Sequence, residues 1–175
     1  MDAESRRKKI IEFLSGADKP VSASKIAKEF KVSRQIIVGD VALIRAAGTE
    51  IEATPRGYIL RGREEQNDSS GIVRRVASKH TAEQMQDELY TIVDNGCTVI
   101  DVIVEHPVYG QLAGSLHLKS RYDVDQFIEK VEKSDALPLS FLTEGIHLHT
   151  LSCPDEASWE RVRDQLEKKG YLLDR

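Results

Sequence analysis

Residues 61–71 read Arg-Gly-Arg-Glu-Glu-Gln-Asn-Asp-Ser-Ser-Gly. Nothing in this stretch belongs in a core, so no hydrophobic pattern runs through it. The chain is therefore expected to form two domains, residues 1–62 and 72–175, joined by a polar linker. A length of 175 residues suits one domain or two small ones. The charge divides at the same place. Residues 1–63 carry 13 Lys+Arg against 8 Asp+Glu, a net +5, and residues 64–175 carry 12 against 21, a net −9. Only the front half has the sign that suits phosphate.

Several classes are set aside early. No run of about 18 apolar residues exists, so no membrane partner is expected. The stretch Met1-Asp2-Ala3-Glu4-Ser5 lacks the apolar core of a signal peptide, and the expected location is cytoplasmic. Cys97 and Cys153 lie far apart in sequence and form no Cys-x-x-Cys, which argues against a disulfide framework or zinc knuckle. They read as small buried apolar residues.

The front half reads as three helices and a hairpin. Ile10, Ile11, Phe13 and Leu14 give residues 4–15 an apolar side. Ser22 is placed to cap a second helix with Ile26, Ala27 and Phe30 inward, and Ser33 to cap a third from Arg34 to about Ala47, ended by Gly48. Residues 51–60 then read as a hairpin with Pro55-Arg56-Gly57 at its turn. That order describes a winged helix-turn-helix. In such a motif the second helix enters the major groove with its N-terminal residues on base edges. Arg34 can bond guanine and Gln35 adenine, while Ser33 can hold phosphate. Val38, Gly39 and Ala42 are small residues continuing from Arg34, which lets the helix sit deep. Arg45, Arg56 and Lys25 are candidate phosphate contacts, with Arg56 at the hairpin tip also able to enter the minor groove.

The back half predicts a different layer. Strands are expected over 72–77, 99–105, 111–118 and 146–151, and helices over 81–94, 124–133 and 155–169, with Pro107-Val108-Tyr109-Gly110 as a turn. The order β-α-β-β-α-β-α fits a ferredoxin-like split βαβ layer with an added helix. The fold class expected for the whole chain is α+β.

The chemistry of this half lies in its histidines. His147 and His149 are two apart on an expected strand, so both imidazoles point to one side. His80 precedes the helix that carries Glu88. Three nitrogens and one carboxylate oxygen converging on one point suit a divalent ion, nickel, iron, cobalt, manganese or zinc, and ligand type alone does not choose among them. His106, beside Pro107, either lines a pocket or ends a strand. His117 is expected at the solvent or at the core edge.

At these residues the chain resembles known families. The front half is similar to the biotin-repressor-like helix-turn-helix, and the back half to the three-histidine (3H) domain. Together they resemble the NiaR (YrxA) family of niacin-responsive repressors of NAD biosynthesis and niacin uptake. The resemblance is carried by residues 32–38, 53–58, 105–110 (Glu-His-Pro-Val-Tyr-Gly) and 142–150 (Leu-Thr-Glu-Gly-Ile-His-Leu-His-Thr). It implies that His80, His147 and His149 are the histidines that name the domain and that Glu88 is a further metal ligand. It also implies nicotinic acid as co-repressor and a homodimer on a palindromic operator. His106 and Tyr109 are expected to line the effector pocket. The expected protein is a regulator and not an enzyme, since no general base stands near the cluster and a DNA reader is attached. A plain metal sensor and a metal-dependent enzyme are the alternatives.

Overall fold

The computed structural model describes residues 1–61 and 71–173. The expected linker falls largely on residues 62–70, outside the described residues. Contacts divide the chain into two compact units, Met1–Ser69 and Ser70–Arg175.

In the first unit, helices α1 (Ala3–Ser15), α2 (Ala23–Phe30) and α3 (Arg34–Ala46) precede strands β1 (Ile51–Thr54) and β2 (Gly57–Leu60). Each helix starts where a side chain satisfies a free backbone N–H. Asp2 accepts from the Ser5 amide at 2.9 Å, Ser22 from Lys25 at 3.1 Å and Ser33 from Ile36 at 3.2 Å. Lys31, in the left-handed region at φ 54°, turns the chain between α2 and α3. Ile10, Leu14, Ile26, Ile37, Val41 and Ile44 form the core. One charge enters it: Asp40 of α3 is buried and accepts from Arg6 of α1 at 2.5 Å (Nε) and 3.2 Å (Nη2). This forked pair fixes how α3 lies on α1.

The hairpin is tied back by two backbone hydrogen bonds between Val21 and Tyr58, at 2.9 and 2.8 Å. That approach leaves no room for a side chain at Gly57. A Cβ there would lie 2.3 Å from the Val21 carbonyl, and its φ is +136°. The turn is Pro55-Arg56, with Gly57 already in β2.

The second unit holds β3 (Ile72–Lys79), α4 (Met85–Asp94), β4 (Thr98–His106), β5 (Gly110–Leu118), α5 (Arg121–Lys133), β6 (Ile146–Cys153) and α6 (Glu156–Lys168). The β-α-β-β-α-β-α order is the expected one. The sheet runs β3-β6-β4-β5 with every neighbouring pair antiparallel. Thus β3 and β4 share a direction and β6 fills the gap between them, a split βαβ arrangement. The helices supply Leu89, Ile92, Val124, Val162 and Leu166 to a core that faces Val76, Val99, Leu118 and Leu151 of the sheet.

Some elements differ from expectation. The helix expected from Thr81 begins with a single 3-10 turn, Ala82–Gln84, closed by reciprocal bonds between Thr81 and Gln84. α5 starts three residues early because Ser120 caps it. A second 3-10 turn, Leu139–Thr143, had no hydrophobic periodicity to announce it. Both cysteines are free and buried, and burial pushes both thiols up. Among the described residues no helix is long and apolar enough to cross a membrane.

Gly57→Ala combines a left-handed backbone with a clash against main chain. It is expected to destabilise the first unit by about 1–3 kcal/mol, read from urea unfolding with Gly48→Ala, where a Cβ meets nothing within 4 Å, as comparison.

Candidate metal centre and DNA-facing surface

Glu88 lies in the first turn of α4 and is completely buried. A lone buried carboxylate is costly, and here three imidazoles surround it. His80 Nε2 is hydrogen-bonded to its Oε2. His147 Nε2 lies 3.3 and 3.2 Å from its two oxygens, and His149 Nε2 lies 3.4 Å from Oε2. The donor atoms of His80, Glu88 and His147 all fall within 4.8 Å of one another. All three rings are buried.

Backbone geometry sets the rings. Each Nδ1 lies 2.8 Å from a main-chain carbonyl: Thr81 for His80, Gly145 for His147 and Asp101 for His149. A carbonyl only accepts, so every Nδ1 carries the hydrogen and donates it. Every Nε2 therefore turns toward Glu88, either as a lone pair or as an N–H⁺. Three lone pairs facing a carboxylate repel it, so the cluster needs positive charge: protons or a bound cation. Donation of the outer N–H to a carbonyl is the usual way a metal-binding histidine is held. The donor set therefore fits a divalent ion.

Three features place these groups. Alternation along β6 puts His147 and His149 on the helix-covered face with Leu151 and Cys153. A bulge interrupts β4: the register with β6 steps from Val99↔Leu151 to Asp101↔Thr150. The extra residue brings the Asp101 carbonyl to His149 and its carboxylate to the Thr150 amide at 2.9 Å. Lastly, Gly145 at φ +91° presses on His80, where a Cβ would lie 2.4 Å from the His80 carbonyl oxygen.

The cluster forms one end of a cavity of about 230 Å³. Met85, Leu89, Val102, Leu116, Phe127 and Leu139 supply apolar walls, and no lysine or arginine lines it among the described residues. Gly114 also lines it, and a Cβ there would make ordinary contact with Leu139 at 3.4 Å and Val102 at 3.6 Å.

Neither His106 nor Tyr109 lines this cavity. His106 pairs with Gly110 at the far end of the β4–β5 hairpin, whereas the cluster sits at the level of Val102 and His149. Four residues of strand separate them, roughly 13 Å. His106 Nδ1 accepts from the Val108 and Tyr109 amides at 3.1 Å each, and its ring rests 5.0 Å from that of Tyr109. The pair builds the turn. His117 occupies a left-handed position, φ 50°, on β5. The cavity walls gave no signal in the sequence, because apolar residues at helical and strand spacing read as ordinary core. Asp40 was detectable as a charge on the buried side of α3, and Gly145 as a glycine directly before the histidine strand.

In the first unit Arg34, Gln35 and Arg45 are exposed on α3, and Val38 is half-buried. The Ser33 hydroxyl oxygen is occupied as the helix cap, leaving its O–H to donate. Lys25 is exposed on α2 and Arg56 at the hairpin turn, where its amide donates to Thr54 Oγ1 at 3.2 Å.

The 3H domain model matches residues 73–175, and a helix-turn-helix domain model matches residues 6–59. The chain belongs to the 3H-domain family. It is 43% identical over 171 residues to the "Probable transcription repressor NiaR" of Thermotoga maritima, covering 98% of this chain and 95% of that one. It is 38% identical over 169 residues to the "Transcription repressor NadR" of Bacillus subtilis, covering 97% and 93%. An uncharacterized protein of Methanothermus fervidus is 29% identical over 105 residues, 56% of this chain and 16% of that one. The 3H family match spans all four cluster residues.

Burial alone pushes His80 and His149 down, but the charge and hydrogen bonding of Glu88 outweigh it and carry both above their ordinary value. For Glu88 burial pushes upward, and the His149 charge with the hydrogen bonds of all three histidines holds it well below the ordinary carboxylate range. A raised histidine stabilises the fold below pH 6.5 and loses that effect as pH rises through its folded value; a depressed glutamate stabilises above pH 4.5 and loses that effect on acidification. With metal removed by a chelator, the second unit is therefore expected to resist urea better at pH ~6 than at pH ~8.5. A flat profile would show that the histidines carry no proton facing Glu88.

Proposed function

We propose that this chain is a metal-binding transcription repressor that binds operator DNA as a dimer, with nicotinic acid as co-repressor, and controls genes of NAD biosynthesis or niacin uptake. One observation carries the effector half of this reading. Three inward-facing imidazole nitrogens meet a buried carboxylate at the end of an apolar cavity.

His80, Glu88, His147 and His149 would hold the ion, with nickel the leading candidate among the divalent transition metals. A divalent ion supplies there the positive charge that the donor set lacks, leaving the centre at +1 after Glu88 is counted. Such a centre complements a monoanion such as a pyridine carboxylate. The walls exclude water and hold the ring by area. About 230 Å³ is ample for it, since roughly 150 Å³ takes a benzene. With no lysine or arginine on the walls among the described residues, a carboxylate would find its countercharge at the cluster.

The repressor half rests on the helix-turn-helix match and on the two repressors to which the chain is similar. Arg34 and Gln35 are offered at the N-terminal end of α3 for base edges. In a dimer the two recognition helices must stand one DNA turn apart, about 34 Å. Nicotinic acid acts only if it binds the DNA-competent arrangement better than the other.

Titration calorimetry of nicotinic acid into nickel-loaded protein is expected to show micromolar binding, with nicotinamide at least 10-fold weaker. Chelator-stripped protein and His147→Ala are expected to bind neither. Operator affinity in a gel-shift series should rise by about 5- to 150-fold with the acid. Equal operator affinity with and without the acid would sink the co-repressor reading, and affinity that follows nickel alone would make the protein a metal sensor. Because His106 belongs to the hairpin turn, His106→Ala should leave nicotinic acid affinity within about twofold.

A further inference from the structure

Gly39 sits in the middle of α3, where glycine is the poorest helix former after proline. Other glycines of this chain have an internal reason. Gly57 and Gly145 have positive φ and press on main chain. Gly39 has none. It is not among the glycines of positive φ, and a Cβ built on it meets nothing within 4 Å. Nothing among the described residues of the unit forbids alanine.

Its place on the helix supplies the missing reason. At 100° per residue Gly39 lies about 200° round from Ile37, opposite the buried Ile37, Val41 and Ile44. It is exposed and lies four residues after Gln35, on the same outward line as the exposed Ala42. A glycine there lets whatever covers the outer face come nearer to the helix backbone than any side chain allows. We infer that Gly39 is the point of closest approach between α3 and the floor of the DNA major groove, and so sets operator affinity together with the neighbouring Gln35. This rests on the repressor reading above.

Gly39→Ala separates folding from binding because the two effects have opposite sign. In the full-length protein it is expected to raise the thermal midpoint of the first unit by about 2–6 °C. It should weaken binding at least 10-fold to a duplex that the wild-type protein has selected from a randomised pool. The slope of affinity against salt should stay the same, since no phosphate-binding charge is removed. A higher midpoint with affinity within twofold of wild type would overturn the inference, and so would a lower midpoint, which would mean that the glycine serves the fold. A wild-type protein that selects no duplex would instead remove the repressor reading itself.

Discussion

The second unit is organised by the burial of one carboxylate. Glu88 has no exposure, and a charge placed there is tolerable only with partners of opposite charge or with hydrogen-bond donors. Those partners come from the end of β3 and from two positions of β6, far apart in sequence. They are aimed by backbone rather than by other side chains. The carbonyls of Thr81, Gly145 and Asp101 each take one Nδ1 hydrogen. Moving any of those carbonyls swings a ring. The bulge in β4, the left-handed Gly145 and the capped 3-10 turn after His80 are thus parts of one device. They are local irregularities of the kind that clusters at functional sites.

Much of this was legible before any coordinates. Alternation on a strand is enough to pair His147 with His149, and the capping residues Ser22 and Ser33 fix where α2 and α3 begin. The element order of both halves follows from hydrophobic period and turn residues. His80 and Glu88 are eight residues apart; a histidine just before an expected helix and a carboxylate two turns into it offered ligand chemistry, and the resemblance to the 3H domain joined them to His147 and His149. The rest depends on long-range pairing. A bulge is a relation between strands, so Ile100 and Asp101 look in sequence like any alternating strand. The apolar cavity uses the same residue types as the core. His106 and Tyr109 read in sequence as ligand chemistry, a histidine close to a tyrosine. Backbone amides of the turn satisfy the ring nitrogen instead.

The first unit shows a parallel economy of charge. Among the described residues its core admits a single acidic side chain, Asp40, and covers it with Arg6 while Arg7 stands 3.7 Å away. A buried ion pair adds little stability over a well-packed apolar pair, but its fork geometry specifies orientation. Specifying how α3 lies matters more here than stability, because side chains that read base edges act over hydrogen-bond distances. The outward face of the same helix carries its small and polar residues unshielded, with Ile36 and Leu43 also exposed.

The two ligand surfaces differ in what they ask of the chain. Reading DNA asks for a fixed helix, and the buried pair and two caps provide that. Sensing asks for a site whose occupied and empty states differ in free energy, since an effector shifts an equilibrium only by its differential affinity. On the co-repressor reading the Glu88 cluster would meet that demand electrostatically. Empty and deprotonated, it sets three lone pairs against a carboxylate; with a cation, the same four groups attract. The cavity wall adds an apolar demand through Leu137, Pro138 and Leu139, which come from the segment just ahead of β6. An occupant of the cavity would touch α4, β4, β5, β6 and that segment together. On the same reading, effector binding and local order of the second unit would be one equilibrium, coupled through the charge at Glu88.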